Sequence, residues 1–256
     1  MNEPLPRSRS FDRLSVDEQT REQRIRSVFA SVALRYDLMN DLMSFGIHRR
    51  WKRTLVRLAA PADGQRIVDL AGGTGDVAAR MAGPGRQVTV IDPSAAMMEV
   101  GRARGHRHVE WRAGTAEQLP LADASIDTLT IAFGIRNVTR LDVALEEALR
   151  VLKPGGRFLC LEFSTPMAWL RPAYNLFSCT VIPRLGAWIA RSPQAYAYLV
   201  DSIRRFPDQP TFQRLIEDAG FADVRYRNQS FGIACIHIGI RPALPGQPGD
   251  GPPASP

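Results

Sequence analysis

One short stretch constrains this chain more than any other: Asp69-Leu70-Ala71-Gly72-Gly73-Thr74-Gly75-Asp76, which follows an apolar run and opens a helical pattern. A strand that turns into a helix through glycines lies at the carboxyl edge of an open α/β sheet, where bare backbone lets a ligand approach closely. A second acid, Asp92, closes the next apolar run (VTVIDPS), 92 − 69 = 23 residues later. A carboxylate at that place can accept both hydroxyl hydrogens of an adenosine ribose. The spacing therefore predicts a nucleoside-containing cofactor, with Asp69, Gly72 and Asp92 in its site. Glycine serving turn geometry alone is the competing reading, and it leaves the two acids in register without a reason.

Apolar runs bounded by turn residues predict strands at Arg66–Ala71, Gln87–Ile91, Val109–Ala113, Ile126–Phe133 and Arg157–Phe163. Helix-period segments separate them. The clearest is Leu141–Leu152, with Leu141, Ala144, Leu145, Ala148, Leu149 and Leu152 on one stripe, ended by Lys153-Pro154-Gly155-Gly156. Such alternation predicts a parallel sheet with helices on both faces. Two late runs, Val224–Asn228 and Ile233–Ile240, follow a helix near Thr211–Ala219 and are close enough to pair as a hairpin.

The folded body is expected over about 25–241 of the 256 residues, as one large domain with attachments. Residues 1–24 are polar and expected to fray, and the Pro/Gly-rich 242–256 is too poor in large apolar groups to order. Two parts fall outside the alternation, a helical region at 25–60 and the aromatic- and Arg-containing 165–206, both read as lid or substrate elements. Three dispersed cysteines (Cys160, Cys179, Cys235) argue against a disulfide scaffold or a cysteine-based metal site and for a reducing compartment. No apolar run approaches the ~20 residues that span a bilayer. No basic-then-apolar leader opens the chain, so a cytoplasmic location is expected. The net charge of +7 admits anionic partners, but without a recognition motif nucleic acid is not expected to be one.

The cofactor itself is narrowed by position. Gly73–Ala78 also satisfies the G-x-G-x-x-G/A dinucleotide pattern, yet it lies some seventy residues into the chain and an acid, Asp69, precedes the glycines within the strand. An acid there can reach the α-amino end of S-adenosylmethionine. The turns after the third strand (Gly114–Pro120) and the fourth (Ala132–Asn137) should lie on the same edge, the first flanking adenine through Thr115 and Ala116, the second passing under the methionine portion toward the substrate. A dehydrogenase is the last of the alternatives.

Four segments then carry a resemblance: DLAGGTGD at Asp69–Asp76, RYDLMNDLMSFGIHRRW at Arg35–Trp51, FGIRNV at Phe133–Val138 and VLKPGG at Val151–Gly156. Over about 25–241 the chain resembles the ubiquinone/menaquinone C-methyltransferase family of the UbiE/MenG type. The glycine turn is common to many methyltransferases; Tyr36-Asp37 with Asn40, Ser44–His48 and Trp51, joined to Gly134–Asn137, is specific. The resemblance implies a Rossmann-like class I methyltransferase with a mostly parallel seven-stranded sheet, an N-terminal helical lid and a C-terminal hairpin. It implies methyl transfer from S-adenosylmethionine to a ring carbon of a polyprenylated quinol, either a methoxy-polyprenyl-benzoquinol, a demethylmenaquinol, or both. Carried over by position, the cofactor contacts become Thr74, Asp92, Thr115, Ala116 and Ala132; Ala132 stands where some relatives have serine, which leaves only backbone to bond there.

Carbon methylation needs a phenolate that pushes electron density onto the ring. Arg136 cannot act as an ordinary base, but it can hydrogen-bond a phenolate or order a water that takes the proton; pairing with a neighbouring acid is its alternative role. Asn137 is expected to orient the ring, and Tyr36 to touch the quinol or face the sulfonium. No metal is needed. Because a prenyl tail lives in the bilayer, peripheral membrane contact is expected, through His48–Ala59, where Trp51, Leu55 and Leu58 make an apolar stripe and Arg49, Arg50, Lys52, Arg53 and Arg57 a basic side. A core-packed stripe is the plainer reading of that helix. A homodimer and a quinone-biosynthesis complex stay open as assemblies. Another phenolic or lipid acceptor, or a silent cofactor-binding scaffold, are the competing functions.

Overall fold

A computed structural model describes residues 44, 46–172, 174, 176, 180 and 201–243. The expectations for 1–24, for Tyr36, Asp37, Asn40 and most of the 25–60 lid, for the larger part of 165–206, and for the tail from 244 onward lie outside the described residues.

Seven strands form one sheet: β1 (Arg66–Leu70), β2 (Gln87–Asp92), β3 (Val109–Ala113), β4 (Ile126–Ala132), β5 (Leu152–Phe163), β6 (Ala222–Gln229) and β7 (Ala234–Ile240). Their order is β3-β2-β1-β4-β5-β7-β6. The first five run parallel, and β7 lies antiparallel to both β5 and β6. The two late runs thus form the expected hairpin, but β7 is inserted against β5 and β6 takes the edge.

Strand burial follows from this order. β1 and β2 are covered on both faces and read as near-continuous buried runs after an exposed first residue. Alternate residues feed two cores: Val68, Leu70, Leu129, Phe158 and Cys160 face one side with the helix α4 (Leu141–Val151) and α5 (Gln209–Asp218), while Ile67, Val88, Val90, Leu159 and Ile236 face the other with α1 (His48–Ala59) and α2 (Asp76–Met81). The remaining helix, α3 (Ala95–Ala103), follows β2 and is capped by Ser94, whose side chain accepts from the Met97 amide.

Several strand ends differ from the sequence reading. β1 and β4 stop one residue early because Ala71 and Phe133 adopt left-handed backbone, with φ of 49° and 60°. Such conformations carry strain for side-chain-bearing residues and concentrate at functional sites. Lys153–Gly156 does end α4, yet it belongs to β5 rather than to a loop. Its amides and carbonyls stay paired with the sheet: Gly155 donates to Arg241 and Arg241 donates back to Gly156, both at 2.9 Å, while the ladder to β4 shifts register between Ile126 and Thr128.

The apolar stripe of α1 packs on the core. Trp51 and Leu55 are buried, and the Trp51 ring meets Phe133 at 6.2 Å and the edge of Phe163 at 6.1 Å. Its indole N–H donates to Ser230 Oγ at 3.0 Å, joining α1 to the β6–β7 turn. Trp51→Ala should therefore cost about 3–5 kcal/mol and Ser230→Ala about 1 kcal/mol of unfolding free energy in urea titrations.

Candidate active site

The chain winds outward from β1 in both directions, to β2 and β3 on one side and to β4 and β5 on the other. A crevice opens where this reversal occurs, at the carboxyl ends of the strands. It is a cavity of about 1060 Å³, counted to its open mouth, lined by Lys52, Asp69 to Gly73, Val77, Asp92 to Ser94, Met97, Thr115 to Glu117, Ala132 to Gly134 and Asn137 to Thr139.

The glycines make room for side chains of the site itself. A Cβ on Gly72 would lie 2.8 Å from Asp69 Oδ2, and one on Gly134 would lie 2.5 Å from the Ala71 Cβ. The β1 and β4 turns can close on each other only because Gly134 is bare.

Asp92 ends β2 with both oxygens engaged by backbone. The Gly73 amide donates to Oδ2 and the Ser94 amide to Oδ1, each at 2.8 Å. Burial raises its pKa, and these two amides oppose that. Each oxygen keeps a second lone pair, so the fixed carboxylate can still accept two vicinal hydroxyls. Glu117, on the next turn, accepts from the Thr139 amide at 2.9 Å and draws the β3 and β4 turns together across the cavity.

Asp69 lies deeper. Its Oδ1 accepts from the Thr130 hydroxyl at 2.9 Å and its Oδ2 from the Ala78 amide at 3.0 Å. Burial pushes its pKa up to about 7, although the Thr130 hydrogen bond, the Lys52 charge and the Ala78 amide all favour the ionised form. Lys52 reaches this region from α1, its ammonium 3.0 Å from Asp76 Oδ2 at the start of α2.

Asn137 ends a 3₁₀ turn, Ile135–Asn137, and lines the cavity, whereas its neighbour Arg136 does not. Arg136 is buried, donates to Glu162 Oε1 at 2.7 Å and to the Phe133 carbonyl at 2.6 Å, and lies over the Phe163 ring. Its Nε is buried without a hydrogen-bond partner. Arg136 lines a second cavity of about 610 Å³ with Ser202, Arg205 and Phe206; Val138 and Thr139 line both cavities.

Of the residues singled out by sequence, Asp69, Gly72, Asp92, Thr115, Ala116, Ala132 and Asn137 converge on the larger cavity. Thr74 is buried in the glycine turn outside the cavity lining, and Tyr36 lies outside the described residues. Sequence reasoning missed Glu162, the acid partner of Arg136, and gave Lys52 to a surface that it does not reach. The signal for Glu162 was present: a lone carboxylate in the apolar strand RFLCLEF is a buried charge that needs a partner. His48 and His237 are buried, bonded to Ser44 Oγ and to the Gln209 carbonyl respectively, and neither lines the larger cavity. Among the described residues no group of three His, Cys, Asp or Glu side chains could hold a metal.

The donor set fits an adenosyl amino acid. Asp92 matches the ribose diol, Ala116, Met97 and Val77 supply apolar walls, and Asp69 with Lys52 offers opposite charges to a zwitterion. Fold and site thus define a class I S-adenosylmethionine-dependent methyltransferase. The fold recurs in a methyltransferase from Thermotoga maritima described as a possible histamine N-methyltransferase, with a TM-score of 0.60, 21% identity and coverage of 84% of this chain and 98% of that one. It recurs too in a Haloferax volcanii methyltransferase in complex with the Trm112 methyltransferase activator, with a TM-score of 0.61, 17% identity and coverage of 84% and 97%.

Within that class, the chain belongs to the ubiE/COQ5 methyltransferase family, whose sequence profile matches residues 17–241. It is 74% identical over 243 residues to the ubiquinone/menaquinone biosynthesis C-methyltransferase UbiE of Rubrivivax gelatinosus, covering 95% of this chain and 97% of the relative. The UbiE of Roseobacter denitrificans is 49% identical, covering 88% and 93%.

The raised pKa of Asp69 has a measurable sign. Its protonated form is favoured by the fold, so this contribution to stability is fully present below about pH 4 and is lost as pH climbs through about 7. Asp69→Asn keeps the shape, with the amide oxygen toward Ala78 and the amide nitrogen toward Thr130. In the protein without cofactor, the variant should gain on the wild type between pH 4 and pH 8, by roughly 4 kcal/mol at most. Parallel urea stability curves across that range would refute the assignment.

Proposed function

We propose that this chain transfers the sulfonium methyl group of S-adenosylmethionine to a ring carbon of a polyprenylated quinol, a 2-methoxy-6-polyprenyl-1,4-benzoquinol or demethylmenaquinol, in ubiquinone and menaquinone biosynthesis. The observation that carries this reading is the 74% identity to a curated UbiE over nearly the whole of both chains. The cofactor, when bound, supplies an electrophilic methyl carbon on a positive sulfur. Asp92 takes the ribose hydroxyls, Thr115 and Ala116 flank the adenine, Asp69 and Gly72 receive the amino-acid end, and Ala132 and Thr74 contribute backbone.

The substrate needs a different set. Deprotonation of the quinol hydroxyl gives a phenolate whose charge spreads to the adjacent ring carbon; that carbon takes the methyl group and then loses its own proton to restore the aromatic ring. Arg136 supplies the positive field that favours the phenolate, and its Nε, buried without a partner, is the donor left for the phenolate or for an ordering water. Glu162 acts through Arg136, fixing the guanidinium from behind, and is a positioning residue. Asn137 orients the ring from the cofactor side, and Tyr36 completes the site from the lid. Alignment of nucleophile and methyl contributes on the order of 7–11 kcal/mol.

Removing Arg136 alone strands Glu162 as a buried charge, so the test neutralises both. Arg136→Gln with Glu162→Gln should keep cofactor affinity within about twofold while kcat falls by roughly 10²-fold. Asp92→Ala should instead weaken cofactor binding about 10- to 100-fold in calorimetric titrations. Equal losses of cofactor affinity in both proteins contradict the division of roles.

The prenyl tail gives the enzyme reason to meet a bilayer. No helix among the described residues is long and apolar enough to cross one, but the surface offers both exposed apolar groups and positive charge. Trp169 and Phe231 are 65% and 59% exposed and meet edge-on at 5.3 Å. Phe231 follows Ser230, the partner of the buried Trp51, and α1 adds the exposed Ile47, Arg49, Arg50 and Arg53 to the protein surface. Lys52, buried in the cavity, does not contribute. At about 1 kcal/mol per basic residue near anionic lipid, contact of this kind is reversible. The protein should pellet with phosphatidylglycerol vesicles at low salt, release at high salt, and pellet less as the Trp169→Ser/Phe231→Ser variant; no pelleting at low salt would overturn it.

A further inference from the structure

The proposal concerns Lys52, one of two lysines in a chain whose other basic residues are arginines. A lysine on an amphipathic surface helix ordinarily keeps its ammonium in water. Lys52 does not: its side chain is 7% exposed and it lines the larger cavity together with Asp69, Gly72 and Gly73.

Its visible partner does not account for that burial. Asp76 receives the Lys52 ammonium on Oδ2 at 3.0 Å, but its other oxygen is already held by Arg80 through two N–H bonds, Nε at 3.1 Å and a terminal nitrogen at 3.0 Å. Arg80 lies one turn further along α2 and supplies Asp76 with a counter-charge by itself. An ammonium has three hydrogens to donate, and Asp76 takes one of those on Lys52. Lys52 is close enough to Asp69 for its charge to act on that carboxyl. The cavity is therefore lined by both a buried acid and a buried ammonium, the complement of an α-amino acid zwitterion.

We propose that Lys52 binds the α-carboxylate of the cofactor's methionine portion, opposite the ammonium on Asp69. Lys52 thereby makes α1 part of the cofactor site, and the same helix, through Trp51, is fastened to the aromatic cluster of Phe133 and Phe163. Binding of the cofactor's amino-acid end and docking of α1 on the sheet then reinforce each other. This inference rests on the reading that the cavity holds the cofactor. It is tested separately by ligands that share the adenosine and differ only at the amino-acid end.

The experiment is calorimetric titration of the full-length protein with S-adenosylhomocysteine, with its decarboxylated analogue, and with 5′-methylthioadenosine, which lacks the amino-acid end. Wild type should bind the decarboxylated analogue about 10- to 100-fold more weakly than S-adenosylhomocysteine, the loss expected for one charge-assisted contact in a dry site. Lys52→Met should weaken S-adenosylhomocysteine by a similar factor, leave 5′-methylthioadenosine within about twofold, and abolish the preference for the carboxylate. Lys52→Arg should restore part of that preference. Equal weakening of all three ligands in Lys52→Met would assign Lys52 a structural role and overturn the proposal. Should Lys52→Met fail to fold, the wild-type comparison decides alone, because equal affinity for S-adenosylhomocysteine and its decarboxylated analogue excludes a carboxylate partner. Failure of every ligand to bind would instead overturn the assignment of the cavity to the cofactor, and the inference with it.

Discussion

The architecture of the site depends on one buried carboxyl. Asp69 joins three elements at the point where the chain reverses its winding: it stands on β1, accepts from Thr130 on β4, and accepts from the Ala78 amide in the first turns of α2. Short connections cannot bring a strand, its non-sequential neighbour and the following helix to one point without satisfying the helix's free amides, and Asp69 satisfies one of them. Gly72 packs against this carboxyl at a distance that excludes any side chain. The glycine turn is thus as much an accommodation of Asp69 as a surface for a ligand.

From that point the site is built outward by carboxylates that hold backbone. Asp92 fixes Gly73 and Ser94, and Glu117 fixes Thr139, so the loops around the cavity are cross-linked before any ligand arrives. Preorganisation of this kind reduces the ordering cost of binding. The left-handed Ala71 and Phe133 fit the same account, since strained residues persist where their surroundings over-determine them. Arg136 and Glu162 repeat the device below the 3₁₀ turn, where a buried ion pair and an aromatic face hold a guanidinium in one orientation.

Much of this was legible in the sequence, because strand burial and the adenosine site are local in character. Asp69 and Asp92 lie in two adjacent strands with the glycines in the turn after the first, and their roles follow from spacing; Val68 and Leu70 alternate with Ile67 as a sheet covered on both faces requires. What was not legible is long-range. Arg136 and Glu162 are 26 residues apart and Lys52 and Asp76 are 24 apart, and no periodicity within either segment announces the partner. For Lys52 the helical pattern itself misled, since a lysine among four arginines reads as another surface charge. The strand ends at Ala71 and Phe133 were misread for a different reason: backbone sign depends on the closing of the turns, not on residue type.

The central claim is that the methyl group goes to carbon. It is tested most directly by giving the protein S-adenosylmethionine and a demethylated quinol carrying deuterium at the ring position to be substituted, then weighing the product. Methylation at carbon exchanges the ring deuteron for the methyl group, so each methyl gained should accompany one deuterium lost. A methylated product that keeps its deuterium, with the new group on oxygen, would contradict the account.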